Sequence, residues 1–274
     1  MKTPTLQLSS REFVGMARDV DDMHHDSMRS FKDESAHELF GLGSARDTRR
    51  GLFKKAGLGA AVVTFGSQII PVKSLMPVAF AQEELTDVDI GVFAESVELA
   101  AVAAYQAAVD TGLLSEAAIE VGTMFAGHHQ EHAAAFAGLV GDAATGEPNA
   151  AALEVFGPMI AEAADEAALL GIALELEEGA AATYHFGLGL IQDPTVAAAP
   201  ATILPIESAH AVVLAQVLGN DPATYLPSFQ NSDAALSPAD FPVGGGSGGG
   251  EEDGDAMEED GDAMEEDGSE EEDG

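Results

Sequence analysis

All 11 Lys and Arg residues of this 274-residue chain lie between Lys2 and Lys73. From Gln82 to Gly274 there is neither, against 39 of the chain's 48 acidic residues. No carboxylate in that region is then expected to find a side-chain cation other than histidine, and a buried one has few ways to be compensated. It must be protonated, hydrogen-bonded or metal-bound, because an uncompensated buried charge is too costly. The net charge of −37 disfavours nucleic acid and anionic membrane surfaces as partners. The absence of cysteine excludes disulfides and thiolate metal sites.

Composition divides the chain into four parts. Residues 47–55 read DTRRGLFKK, residues 56–72 are uncharged and rich in Ala, Gly and Val, and Ala79-Phe80-Ala81 precedes an acidic run. A basic start, an apolar middle and an A-x-A ending make a secretory signal over 47–81 with cleavage after Ala81. Arg49-Arg50, with Thr48 before and Leu52-Phe53-Lys54 after, resembles the twin-arginine export signal. That resemblance implies a protein exported already folded, to the periplasm, the cell envelope or the medium, with no membrane contact after cleavage. Gly residues, Gln68 and Pro71 within the apolar stretch weaken the alternative of a membrane anchor. Residues 1–46, polar and mixed in charge, read as a disordered leader. Residues 244–274, a Gly/Ser hinge followed by a repeat of EEDGDAM, read as a disordered acidic tail. The folded domain is then 82–243.

That domain has no alternating strand pattern, and four long helical segments stand out: 86–111, 115–140, 161–191 and 195–218. Thr86 and Ser115 are N-caps, and Gly112, Gly141 and Gly219 are stops. Gly146, Pro148, Gly157 and Pro158 mark 142–160 as a loop with a short helix. Pro205 should kink the last segment or delay its regular start. The expected fold is all-α, an antiparallel four-helix bundle.

Polar residues recur on faces that should be apolar. The first and third helices carry Glu98 with Tyr105 and Glu177 with Tyr184, each pair seven apart and hence on one face. The fourth, PIESAHAVVL, carries Glu207 and His210 three apart. The second, GHHQEHAAAF, carries His129 and His132 at the same spacing. Glu98 to His132 is 34 residues and Glu177 to His210 is 33, so the domain reads as a duplicated helical hairpin. A lone inward histidine is ordinarily a hydrogen-bonded core residue; alignment of Glu and His on four helices points instead to a metal site. One Glu from each of two helices with Glu-x-x-His from each of two others is the di-iron or di-manganese carboxylate arrangement. The expected ligands are Glu98, His129, His132, Glu177, Glu207 and His210, with the two tyrosines hydrogen-bonding the carboxylates. His128 and Glu131 read as a solvated face, and Glu95, Glu175 and Glu178 as exposed.

On these residues the chain resembles the ferritin-like superfamily over 88–219, and within it the exported and desiccation-related ferritin-like domains. The resemblance implies metal ligands at Glu98, His132, Glu177, Glu207 and His210, and iron oxidation, iron storage or peroxide handling in stress protection. His129 departs from the family pattern, which has Glu there. Three carboxylates with three imidazoles make a less negative set, which brings zinc or copper, or a single ion, into consideration beside iron and manganese. The alternative function is a non-enzymatic acidic envelope protein that keeps the helices and a degenerate site. Homo-oligomerisation stays open, although the acidic tail argues against a closed cage.

Overall fold

A computed structural model of the chain describes residues 8–33, 85–225 and 232–244. The expected export signal over 47–81 and the expected acidic tail beyond Gly244 lie outside the described residues. Among those described there is no strand. The long helices are α1 (Ser10–Asp33), α2 (Asp87–Asp110), α3 (Glu116–Val140), α5 (Glu166–Leu188) and α6 (Pro194–Leu218); α4 (Ala150–Ala161) and α7 (Pro222–Tyr225) are shorter.

Local chemistry sets the boundaries. Thr86 and Asp89 form a reciprocal capping box at the start of α2, with Asp89 N–H donating to Thr86 Oγ1 and Thr86 N–H to Asp89 Oδ2. Ser115, Asn149, Asp165 and Asp193 each cap the helix that follows with a side-chain oxygen. Gly112 and Gly219 end α2 and α6 at φ of 71° and 73°, a region that favours glycine. Residues 142–160 hold the expected short helix, α4. The third long helix starts at Glu166 rather than 161, because Asp165 supplies the cap. Pro205 does not delay α6, which is helical from Pro194; Pro194 occupies the first turn, where its missing N–H has no intrahelical partner to lose.

Five-residue connections join α2 to α3 and α5 to α6, so each pair forms a helical hairpin. The hairpins meet through α2 against α5 and α3 against α6. Phe125, Phe136, Ile203, Ile206 and Leu214 are fully buried between them. Length and composition would allow α6 to cross a membrane. In the fold it is a core helix, packed on α5, α1 and α3, with Glu207 and His210 wholly buried. Residues 232–244 lie along α5 and the start of α4: Leu236 N–H donates to Thr183 Oγ1 at 2.8 Å and Asn149 Nδ2 to the Phe241 carbonyl at 3.0 Å.

The leader is the main departure from expectation. Residues 10–33 are helical and pack against α3 and α6. Phe13, Ala17, Val20, His24 and Met28 are buried; their four- and three-residue steps put them on one face of α1. α1 also brings a cation to the acidic domain. Arg18 bonds Glu120 at 2.7 Å, so the rule that carboxylates beyond Gln82 meet no cation but histidine fails there. That pair is exposed and contributes little to stability; the apolar stripe does the docking. An Ala17→Arg substitution, at a position with 0% exposure, should undock α1. Hydrogen exchange should then show lost protection over 10–33, with protection in α2, α3, α5 and α6 retained.

Candidate metal centre

The six residues expected to form a site come together. α2 contributes Glu98, α3 His129 and His132, α5 Glu177, and α6 Glu207 and His210, all 3% exposed or less. They form two overlapping quartets: Glu98, His129, His132 and Glu207, and His129, Glu177, Glu207 and His210. Within each quartet one nitrogen or oxygen per residue lies within 4.8 Å of the others. His129 and Glu207 belong to both and sit at the middle. His129 Nδ1 is 2.6 Å from Glu98 Oε2, and its Nε2 is 3.2 Å from Glu177 Oε1. His210 Nδ1 lies 3.0 Å from Glu207 Oε2 and 3.1 Å from Glu177 Oε2.

The tyrosines hold the carboxylates from across the hairpins. Tyr105, on the helix of Glu98, donates to Glu177; Tyr184, on the helix of Glu177, donates to Glu98. Burial and the facing carboxylates push both phenols well above their ordinary pKa, so they remain donors.

Two buried atoms test whether the set suits a metal ion. His132 Nδ1 and Glu207 Oε1 are 2.8 Å apart, yet neither has a hydrogen-bond partner of acceptable geometry. A buried imidazole nitrogen and carboxylate oxygen in contact without hydrogen-bond geometry are costly in a purely structural core unless the imidazole holds a proton. A shared cation would satisfy both. Two such quartets of carboxylate oxygen and imidazole nitrogen fit one or two divalent transition-metal ions.

Protons otherwise balance the charge. Burial pushes the imidazoles of His129, His132 and His210 down, but the carboxylates around them outweigh it: His132 is raised to about 9, His210 is raised, and His129 lies well above its ordinary value. Burial pushes the Glu98 and Glu177 carboxyls up, and the facing imidazoliums override it, holding Glu98 at about 2 and Glu177 well below the usual range.

Three further residues join from outside the expected set, and His128 needs correcting. It is buried, not solvated. His128 Nδ1 is 2.8 Å from His210 Nε2, and its Nε2 is 2.9 Å from Asp21 Oδ1 on α1. His24, with 0% exposure, stacks on His128 at 4.0 Å and brings Nδ1 to 3.3 Å from His132 Nε2. Burial and neighbouring imidazoles lower His24 to about 2; burial and His210 lower His128 to about 4, against an opposing pull from Asp21. The apolar stripe of α1 ends on His24 and Met28 and could have revealed this contact. Glu131 keeps a half-exposed side chain, 3.8 Å from His24 Nε2. Glu95 is buried rather than exposed, since its carboxylate accepts the backbone N–H groups of Thr145 and Gly146. Glu175 and Glu178 are part-buried, and burial raises both.

An apolar cavity of about 70 Å³ adjoins the centre between α2, α5 and residues 236–238. Phe93, Ala94, Phe136 and Leu176 are among its walls, and Glu98, His129 and Tyr184 reach it from the centre.

The pKa directions fix a pH dependence for the metal-depleted chain. His132, raised from 6.5 to about 9, contributes stability that is complete below 6.5 and lost as pH rises toward 9. His24 and His128, held neutral down to about 2 and 4, favour unfolding as pH falls below 6.5. Glu98, lowered from 4.5 to about 2, loses its contribution below 4.5. Thermal melts should therefore peak near pH 6.5, with Tm lower by ~5 °C or more at both pH 4.5 and pH 9.

No curated protein and no solved structure matches the chain at a significant level. Residues 86–220, which hold both hairpins and all six residues of the two quartets, match the family model of a ferritin-like domain, and the match supports placing this helical unit in the ferritin-like superfamily.

Proposed function

We propose that the protein binds one or two transition-metal ions, iron or manganese, between its two hairpins, and oxidises Fe(II) in protection against oxidative or desiccation stress. The observation that carries the reading is the pair His132 Nδ1 and Glu207 Oε1, buried in contact without hydrogen-bond geometry, in two overlapping Glu/His quartets that share Glu207. Glu98 and His132 would hold one ion and Glu177 and His210 the other, with Glu207 and His129 between them. When bound, the ions supply one-electron chemistry toward O₂ or peroxide. The chain's own residues orient and exclude. Tyr105 and Tyr184 fix the carboxylates by hydrogen bonds from the opposite hairpin. The apolar walls around the adjoining cavity favour a small uncharged oxidant over bulk water.

His129 bears on metal choice. A carboxylate at this position would match Glu207 in the other half and add negative charge; imidazole adds a neutral, softer donor and shifts preference toward zinc or copper. This is also the observation that favours the second reading, a non-enzymatic acidic envelope protein with a degenerate centre. Thermal stability separates the two. Fe²⁺ or Mn²⁺ at 100 times its Kd should stabilise the metal-depleted chain by about 2.7 kcal/mol, and Glu98→Gln should abolish most of that gain. His129→Glu should raise affinity for Mn²⁺ relative to Zn²⁺. A chain that gains no stability from any of the three ions is the acidic structural protein.

Export by the twin-arginine route is part of the proposal and rests on Arg49-Arg50 and Ala79-Phe80-Ala81. Mass spectrometry of the exported protein should find a chain beginning at Gln82; one that still carries residues 47–81 overturns it.

A further inference from the structure

A second cluster of ligand atoms lies outside the two quartets, where α1 crosses α3. His24 and His25 of α1 and His128 of α3 each bring a ring nitrogen to within 4.8 Å of the others. His24 and His128 are buried, and His25 has a half-exposed side chain. Asp21 lies beside two of them, with Oδ1 2.9 Å from His128 Nε2 and 4.0 Å from His25 Nε2. His24 Nε2 is fully buried and has no hydrogen-bond partner. The facing Glu131 Oε2 is 3.8 Å away, beyond hydrogen-bond reach, whereas a neutral imidazole at this depth normally satisfies both nitrogens.

We propose that, in the full-length chain before removal of residues 1–81, His24, His25 and His128, with Asp21 beside them, form a separate divalent-cation site at the edge of the protein, of a type that takes zinc or a similar imidazole-seeking ion. Three imidazoles and one carboxylate are a common tetrahedral donor set for such ions. Zn–N bonds of ~2.0–2.1 Å place tetrahedral ligand atoms about 3.4 Å apart. His25 can close the remaining distance by turning its exposed side chain; the rings of His24 and His128, stacked at 4.0 Å, must tilt apart for both to direct a nitrogen at one ion. The site is open on the side of His25 and Asp21, so an ion reaches it from solvent without crossing the core.

The site also touches the inner centre. With Nε2 of His128 given to an ion, its proton sits on Nδ1 and is donated to Nε2 of His210, 2.8 Å away. His210 can bind an inner ion through Nδ1 only if its own Nε2 carries the proton. Two N–H groups would then face each other. An outer ion and an ion on His210 therefore compete, which suits an outer site that captures an ion before the inner position is filled.

The test uses the full chain, metal-depleted, with Zn²⁺ as the probe. Zn²⁺ should increase hydrogen-exchange protection over residues 10–33. His25→Ala, a half-exposed position whose loss leaves the core intact, should weaken that response by tenfold or more in Zn²⁺ concentration. Glu98→Gln, which disables the competing inner centre, should keep the response and bring it on at the same or a lower Zn²⁺ concentration. Loss of the α1 response in Glu98→Gln but not in His25→Ala would assign the effect to the inner centre and overturn the outer site. Absence of any α1 response in the unaltered chain would overturn it too, with no bearing on inner binding, which is read from thermal stabilisation by Mn²⁺.

Discussion

Three carboxylates buried at the centre of a helical unit that has no lysine or arginine of its own set the terms for everything else in this fold. Glu98, Glu177 and Glu207 are each within 3% of complete burial, and unpaired charges at that depth would unfold a small helical domain. Three imidazoles stand opposite them. Either the imidazoles hold protons, or metal ions take the place of those protons; both states balance the same carboxylates. The tyrosines, the stacked Phe125 against His210 at 3.9 Å and the close approach of the alanine-rich helices all serve to keep that balance dry. The centre is thus a structural requirement of the fold before it is a chemical one.

The part of this centre that could be read from the sequence is the part written twice. Helix periodicity brought Glu98 and Tyr105 to one face, and the repeat at Glu177 and Tyr184 confirmed which face was inward. The same comparison selected His132 over its neighbours by its match to His210. The caps at Thr86, Ser115 and Asp193 were legible because a side-chain oxygen at a helix start has a specific partner. What the repeat does not contain was missed. His128 lies one helical turn before His132 on a face that four helices alone leave uncovered; α1 covers it. Glu95 is not legible as a buried residue, because its partners are two backbone N–H groups of a later loop, which carry no sequence signature. α1 itself has a clear apolar stripe, but its place ahead of an export motif argued for a leader without structure.

His129 is where the two halves differ most in chemistry. It occupies the register of Glu207, and both residues lie at the middle of the two quartets. One half therefore gives the centre an acceptor-only carboxylate and the other a ring that can donate, accept or bind an ion. The difference lowers the negative charge of the set at the one point shared by both positions, so it acts on both at once.

The crossed tyrosines carry a last implication. Tyr105 reaches Glu177 and Tyr184 reaches Glu98, so each hairpin supplies the phenol that its counterpart needs and cannot supply its own. Such reciprocal exchange is what a two-fold axis imposes on an isologous interface. A single hairpin of this sequence type would be incomplete alone and whole only when paired with a second copy of itself. Joining two copies in one chain fixes that pairing at any protein concentration, and it frees each copy to change separately, as position 129 has done.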